Sequence, residues 1–473
     1  MVQTRALPPA GWALVGGLAL VAAAASMVAP FAGLALALLA LAVTVVRGRP
    51  VQRLGTVGIL ATAVAAIVGP NLAVPGAPWL FAFRILIVVL GLGALAYVLV
   101  GGSVPWVSGL GRPTAFVSLW VIWSALSIGW SEDHVAAARW TLFLAMMGAM
   151  AIGLALACRT PKRATLLLKV LGITFGVAVG IAMAELVLGV RLPTSALLGR
   201  DRAVAFGATS LFGNQNNFAT YLTLSLPYFL MLPIVFRDVR LRAVGLAGTT
   251  AALGALLYTG SKSNLLALAI ILIALLALIS TDRRRRGLLI GAGAVALLAA
   301  VIVIPSVLGG GIIKLPDRAV SKFNFGLLGS QLKTDTGSGG VRNSLLRDGL
   351  DLVAESGGLG VGAGNAETRV KSLSAGGGVA NLHNWWLEVL VNGGLVGFAL
   401  WLGLYFMLLR ACLQAGRRAR EPLVRYLGLA GALSLLGFIM GALGPSTAIH
   451  FAPMWITVAL ALVTLVLARR PQT

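Results

Sequence analysis

The chain of 473 residues holds three histidines, His134, His383 and His450. His383 stands in the stretch Asn381-Leu382-His383-Asn384-Trp385-Trp386-Leu387-Glu388. An imidazole titrates close to neutral pH and so suits proton abstraction from a hydroxyl. Asn384 and Glu388 are four positions apart. On a helix they share a face, from which they can orient each other or the imidazole. The paired tryptophans fit an aromatic belt at a membrane interface. By residue type alone, a histidine at headgroup level is the plainer alternative to a base.

The second chemical group is cationic: Arg200, Arg202, Lys262, Arg342 and Arg347. Taken singly, each suits headgroup contact or snorkelling. Taken together they suit an anionic ligand, above all a lipid pyrophosphate, since arginine grips phosphate oxygens bidentately and lysine supplies a point charge. Arg84 and Glu185 lie inside apolar runs, where an ionisable group is a functional candidate by default. They can pair with each other or meet a ligand; Arg139 is equally open. The run Gly358-Leu-Gly-Val-Gly-Ala-Gly364 lacks the flanking strand and helix of a phosphate loop and reads as a flexible turn. Before it, Val341 to Glu355 places Leu346, Leu350 and Val353 on one helical face, suited to lying on a membrane surface or capping a cavity.

Composition restricts the elements that can position these groups. Apolar residues make up 59% of the chain and charged residues 11%, against about 25% charged in soluble domains. A soluble enzyme, a disordered chain and a disulfide scaffold are excluded; Cys158 and Cys412 are the only cysteines. The net charge of +23 sits in short clusters between apolar runs, so it implies membrane orientation and no nucleic-acid partner. The expected fold is all-α, a polytopic transmembrane helix bundle. Apolar runs of spanning length predict about fourteen spans: 11–29, 30–46, 54–69, 79–101, 114–130, 138–158, 167–189, 216–236, 241–259, 263–280, 287–305, 386–409, 424–443 and 449–468. They divide the chain into an N-terminal hairpin (1–53), a bundle (54–305), a long outer loop with short helices (306–383) and C-terminal helices (384–473). Arg5 and the small residues at 22–26 would also suit a cleaved leader, but the second apolar run follows at once and fits an anchored hairpin better.

With the N-terminus in the cytoplasm, inner segments hold 23 of the 37 lysines and arginines and only three acidic residues, Asp238, Asp282 and Glu421. This orientation predicts a multi-pass protein of the cytoplasmic (inner) membrane with both termini inside. All three histidines and the long loop then face outward. The inner face carries only short basic connectors without a nucleotide-binding motif, so neither ATP nor a nucleotide sugar is expected as energy source.

Several motifs together resemble the O-antigen ligase and polymerase superfamily. His383-Asn384, nine residues, then Gly394-Leu-Val-Gly397 is similar to its histidine motif, with Phe398 where a small residue is usual. Arg202 with Leu211-Phe-Gly-Asn-Gln-Asn-Asn-Phe-Ala219 resembles its arginine and asparagine-rich stretch, with Gln215 for proline. Thr259-Gly-Ser-Lys262-Ser resembles its Ser-Arg turn with lysine for arginine. Ser127 to Asp133, and Arg342 with Gly360-Val-Gly362, resemble two further segments, and the likeness covers about 80–465.

The resemblance implies an inverting, metal-independent glycosyltransferase that needs no cofactor. It would move a glycan from undecaprenyl pyrophosphate to a hydroxyl of a glycan or lipid acceptor at the outer face. It assigns the base to His383 and the pyrophosphate to Arg202 and Lys262. Arg342 joins the phosphate contacts from our own reading of the cations, with Asn384, Glu388, Arg84, Glu185 and Arg200 in support. A polymerase of the same superfamily is the nearest alternative. A transporter or flippase is a further one, but related halves with broken helices are not seen. The orientation has a direct test. A cysteine introduced at Ser374 should label from outside intact cells and one at Thr281 should not; external labelling at Thr281 would invert the topology.

Overall fold

The computed structural model describes residues 50–99, 107–199, 207–279, 337–373, 381–445 and 448–470. The expected spans 11–29, 30–46 and 287–305 lie outside these residues. The other eleven each coincide with an apolar helix. They are α1 (Pro50–Val68), α2 (Ala82–Leu99), α3 (Gly111–Leu126), α4 (His134–Ala157), α5 (Pro161–Val187), α6 (Gln215–Leu230, continued past a turn by Leu232–Val235), α7 (Val239–Thr259) and α8 (Lys262–Ile279), followed after the long loop by α11 (Trp385–Arg418), α12 (Pro422–Gly441) and α13 (Ala452–Ala468). Between them the loop contributes α9 (Gly337–Glu355) and α10 (Ala366–Leu373). Eight helices of the described residues are long and apolar enough to cross a membrane, and α2, α8 and α13 are shorter apolar helices. The protein is thus an all-α, multi-pass membrane bundle. A short antiparallel pair, β1 (Ala73–Val74) and β2 (Ala77–Phe81), bridges α1 and α2.

Length and apolarity make these helices, and side-chain caps end them. Asp133 accepts from the Ala136 N–H at 2.9 Å to start α4. Asn214 accepts from Asn216 at 2.8 Å to start α6, and Asp238 accepts from Arg240 and Leu241 to start α7. Such caps satisfy the helix-end donors that hydrocarbon leaves without water. Large apolar side chains stay exposed along the flanks, among them Leu119, Ile122, Leu142 and Leu246. That is expected where the solvent is lipid.

The most enclosed of the eight long helices is α12, with 72% of its apolar window buried. Gly428 brings it against the backbone of α11 at Gly416, the small-residue contact by which membrane helices approach closely. Toward the other end of α11, Trp385, Trp401, Trp120 and Trp455 form a continuous aromatic core, with ring centroids 5.4 to 6.1 Å apart. Trp385 is fully buried there, and Trp386 donates its indole N–H to the Ile439 carbonyl at 3.1 Å. The pair therefore packs helices together and is not an interfacial belt. Mutual stacking outcompetes the interface because facing helices supply partner rings.

Two further expectations about the long loop need correction. The segment Val341 to Glu355 is helical, but its packed face is Leu345, Gly349 and Leu352; of the expected stripe Val353 packs beside them, while Leu346 and Leu350 are exposed. Both sets have helical spacing, and the buried set is the one that meets Leu387 and Val391 of α11 and Val370 of α10. The glycine run is also not a flexible turn. It is a strap between helices: Val361 donates to the Val391 carbonyl at 2.9 Å, Leu395 to that of Gly358 at 2.8 Å, and Ala363 to the Ser127 hydroxyl at 2.9 Å.

At Gly394 the helix α11 breaks, with φ 61° and ψ −165°. A Cβ at Gly394 would collide with the backbone of Gly358 and Leu359, whereas one at Gly393 would meet nothing within 4 Å. Gly394→Ala should therefore destabilise the protein by about 2 kcal/mol or more, from left-handed strain plus the clash. Gly393→Ala should leave thermal unfolding in detergent unchanged or slightly raised. Equal melting temperatures for the two variants would contradict the docked strap.

Candidate functional site

His383 is held from three sides. Leu382 beside it is buried in a small core with Leu345, Leu352, Val370 and Leu387, each contributing about 1.5–3 kcal/mol when fully buried. The His383 N–H donates to Asn381 Oδ1 at 2.8 Å, and Asn381 donates to Glu367 Oε1 of α10 at 2.9 Å. Asn384 then caps α11, accepting from Trp386 at 3.1 Å and Leu387 at 3.3 Å. Between these fixed points His383 adopts φ +48°, one of two non-glycine residues with positive φ among those described. Such backbone costs energy and persists only where the surroundings enforce it. The Nδ1 atom is buried and makes no hydrogen bond to a described residue.

The pairing of Asn384 with Glu388 is not what orients the imidazole. Asn384 serves as the cap, and the buried Glu388 carboxylate accepts from the Ala448 N–H at 2.9 Å. Glu388 thus ties α11 to the loop before α13. Periodicity places the two residues on one face, but the stronger demand on each is an orphan backbone donor.

Lys262 opens α8 after a tight turn at Gly260, whose φ of 64° ends α7. Its position is fixed by a buried polar network two residues on. Asn264 donates to Thr220 Oγ1 and Ser261 Oγ, each at 3.1 Å, and accepts from Thr223 at 3.0 Å. Thr220 in turn reaches the Gly441 carbonyl at 3.1 Å. The network joins α6, α8 and α12 at the same end of the bundle. Polar spacing gave no hint of Asn264 as its hub, since one asparagine in an apolar run has no periodicity to reveal its partners.

Arg342 is on the first half of α9. Its guanidinium keeps contact with solvent yet is ringed by protein, and this loss of hydration lowers its pKa. It lies within electrostatic range of both Lys262 and His383. Three segments distant in sequence therefore bring two cations and an imidazole together. His383 is pushed below the ordinary histidine range, first by burial and then by the Arg342 charge, so it is neutral at pH 7 and able to accept a proton. Among the described residues no group of His, Cys, Asp or Glu has the arrangement of a metal site.

The remaining candidates separate. Arg200 and Arg202 lie outside the described residues. Glu185 is buried and does not pair with Arg84. Its carboxylate accepts from Thr209 N at 2.7 Å, Thr209 Oγ1 at 2.9 Å and Ser210 N at 3.1 Å, with Arg191 at 3.8 Å. It staples the segment that leads from the Arg202 stretch into α6. Arg84 donates to the Trp79 carbonyl at 2.7 Å and lies over the Phe81 and Phe143 rings. Arg347 is exposed on α9. His134 donates from Nδ1 to the Ile128 carbonyl at 2.9 Å as part of the turn into α4. Asn365 was not anticipated; it accepts from the Asp133 N–H at 2.7 Å and locks the strap to α4.

Residues 247–402 match the family described as O-antigen ligase, a stretch that includes Lys262, Arg342 and His383. The teichuronic acid biosynthesis protein TuaE of Bacillus subtilis (strain 168) is 25% identical over 269 residues, which is 55% of this chain and 52% of that protein. The chain thus spans about half the length of this relative. Over these residues the chain is similar to the O-antigen ligase family, the likeness that its sequence motifs also carry.

Proposed function

We propose that this protein is a lipid-linked glycan transferase. It would move a glycan from undecaprenyl pyrophosphate to a hydroxyl of a glycan or lipid acceptor at the outer face of the cytoplasmic membrane, without metal and with inversion. The observation that carries this reading is the convergence of Lys262, Arg342 and His383. A pyrophosphate is already a good leaving group, so the demands are to neutralise the charge that develops on it and to deprotonate the acceptor. Lys262 and Arg342, with Arg202, meet the first demand. His383, held neutral, meets the second. Inversion follows from direct attack of the acceptor oxygen on the anomeric carbon, with departure of the polyprenyl pyrophosphate from the opposite side. The proton taken up by His383 then passes to bulk water or to the released polyprenyl pyrophosphate.

The outward orientation is supported by the ends of the bundle. The end opposite the site carries Arg159, Lys162, Arg163, Arg237, Arg240, Arg242, Arg417, Arg418 and Arg420, the basic excess typical of cytoplasmic segments. A polymerase of the same superfamily would use the same chemistry with a different acceptor, and the TuaE relative, named as a teichuronic acid biosynthesis protein and not as a ligase, keeps that second reading open.

The base is tested with His383→Asn, since asparagine tolerates the left-handed backbone that alanine resists. Transfer should fall by about 10²–10⁴-fold with donor binding retained; a rate above about a tenth of wild type would rule out obligatory base catalysis. Lys262→Ala should weaken donor use strongly and Lys262→Arg should be tolerated. Unchanged donor affinity in Lys262→Ala would reduce this cation to a headgroup contact. Turnover should persist in excess chelator and without ATP. The kcat/KM for donor, which reports the free enzyme, should rise with pH through an acid limb below about 6.5, the ordinary histidine value. Because a nearby positive charge disfavours imidazolium, Arg342→Gln should move that limb upward. A downward shift would contradict the assignment.

A further inference from the structure

A second group of cations stands apart from the three residues assigned above. Arg84, in the first turn of α2, lies within electrostatic range of Arg139 in the second turn of α4 and of His450 in the loop before α13. No carboxylate among the described residues pairs with either arginine. The nearby acids are engaged elsewhere: Asp133 caps α4, Glu132 pairs with Arg369 at 3.3 Å, and Glu388 accepts from Ala448. Two like charges brought together repel, and an anionic ligand relieves that cost.

The walls of the group are built. The Arg84 guanidinium lies 4.9 Å from the Phe81 ring centroid and 5.5 Å from that of Phe143, which fixes its plane by cation–π contact. One Nη1 proton goes to the Trp79 carbonyl. The Nε atom is buried and makes no hydrogen bond to a described residue. An arginine whose faces are covered and one end tied offers its remaining N–H edge, the edge that takes a carboxylate or phosphate bidentately. His450 stacks on the other ring, with centroids 4.2 Å apart from Phe143. Exposed Trp79 and Arg139 form the rim. The loop bearing His450 is the one that Glu388, on the helix that follows His383, holds through the Ala448 N–H.

We propose that Arg84, Arg139 and His450 form a second oxyanion subsite, which takes an acidic group of the glycan, a carboxylate or phosphate on a sugar, and not the leaving pyrophosphate. This rests on the glycan-transfer reading and makes the enzyme selective for acidic glycans. A membrane headgroup has the same chemistry. The enclosure of Arg84 Nε between rings, behind the rim, favours a group carried inward on a substrate.

The test is binding to the full chain in nanodiscs. The probes are a glucuronic acid oligosaccharide and the same oligosaccharide with its carboxyls reduced to alcohols. In zwitterionic lipid the acidic probe should bind at least about tenfold more tightly, the worth of one charge-assisted hydrogen bond. Arg84→Gln and Arg139→Gln should each erase most of that preference, and Arg84→Lys should restore part of it. Arg139 is exposed, so its variant reports on the site without endangering the fold. Lys262→Ala should keep the preference. Equal affinity for the two probes, including no binding of either, overturns the proposal, as does a preference that depends on Lys262 and not on the arginines. Loss of the preference in phosphatidylglycerol nanodiscs would assign the arginines to lipid and overturn it too. Acid preference with no transfer activity would instead count against the transferase reading alone, and transfer without acid preference against the subsite alone.

Discussion

The contact on which the site depends is between backbones. The strap of Gly358 to Gly364 lies against the broken turn of α11 at Gly394, close enough that neither Gly360 nor Gly394 can carry a Cβ. This contact sets α9, with Arg342, against α11, whose first turn follows His383. Hydrogen bonds from Val361 and Leu395 close it on one side. On the other, Trp123 Nε1 donates to the Gly393 carbonyl at 2.7 Å and Trp130 Nε1 to that of Gly360 at 3.2 Å. The fixed interval between the histidine and the glycines of its motif thus has a mechanical sense. The histidine begins the helix, and the glycine ends its first rigid segment where the strap must dock.

Charge is distributed so that acids build the scaffold and cations face the site. Glu185 and Glu388 are both buried and both spend their oxygens on backbone donors of neighbouring segments. A carboxylate used in this way is not available to Arg84. Buried polar groups of this kind are expensive to leave unpaired, and Glu185 takes three hydrogen bonds while Glu388 takes that of Ala448.

The helices themselves were legible in the sequence because spanning length is a matter of counting apolar residues, and starts such as Gln215 and Trp385 carry their caps, Asn214 and Asn384, immediately before them. The candidate base and Lys262 were legible from residue type and motif. Less visible was anything decided by which neighbour arrives. Leu345 and Leu346 both fit a helical stripe, and only the approach of Leu387 buries the first. Trp385 carries the signature of an interfacial residue, yet Trp401 and Phe438 enclose it. Glycines in an irregular run signal only that the chain bends. Their tight packing follows from the partner backbone, which lies some thirty positions away at Gly394.

The placement of Arg342 links the two halves of the proposed chemistry. In the protein without substrate its charge, together with burial, holds the His383 imidazole neutral, so the base starts unprotonated but is weak. A pyrophosphate bound at Lys262 and Arg342 offsets that positive charge. The proton affinity of His383 then rises, and the base strengthens only when a donor is in place. An acceptor hydroxyl that arrived first would meet a weaker base and an unneutralised cation. Water would meet the same weak base in the absence of donor. In the proposed mechanism deprotonation would thus depend on donor occupancy without any moving part, because one guanidinium is in range of both Lys262 and the imidazole.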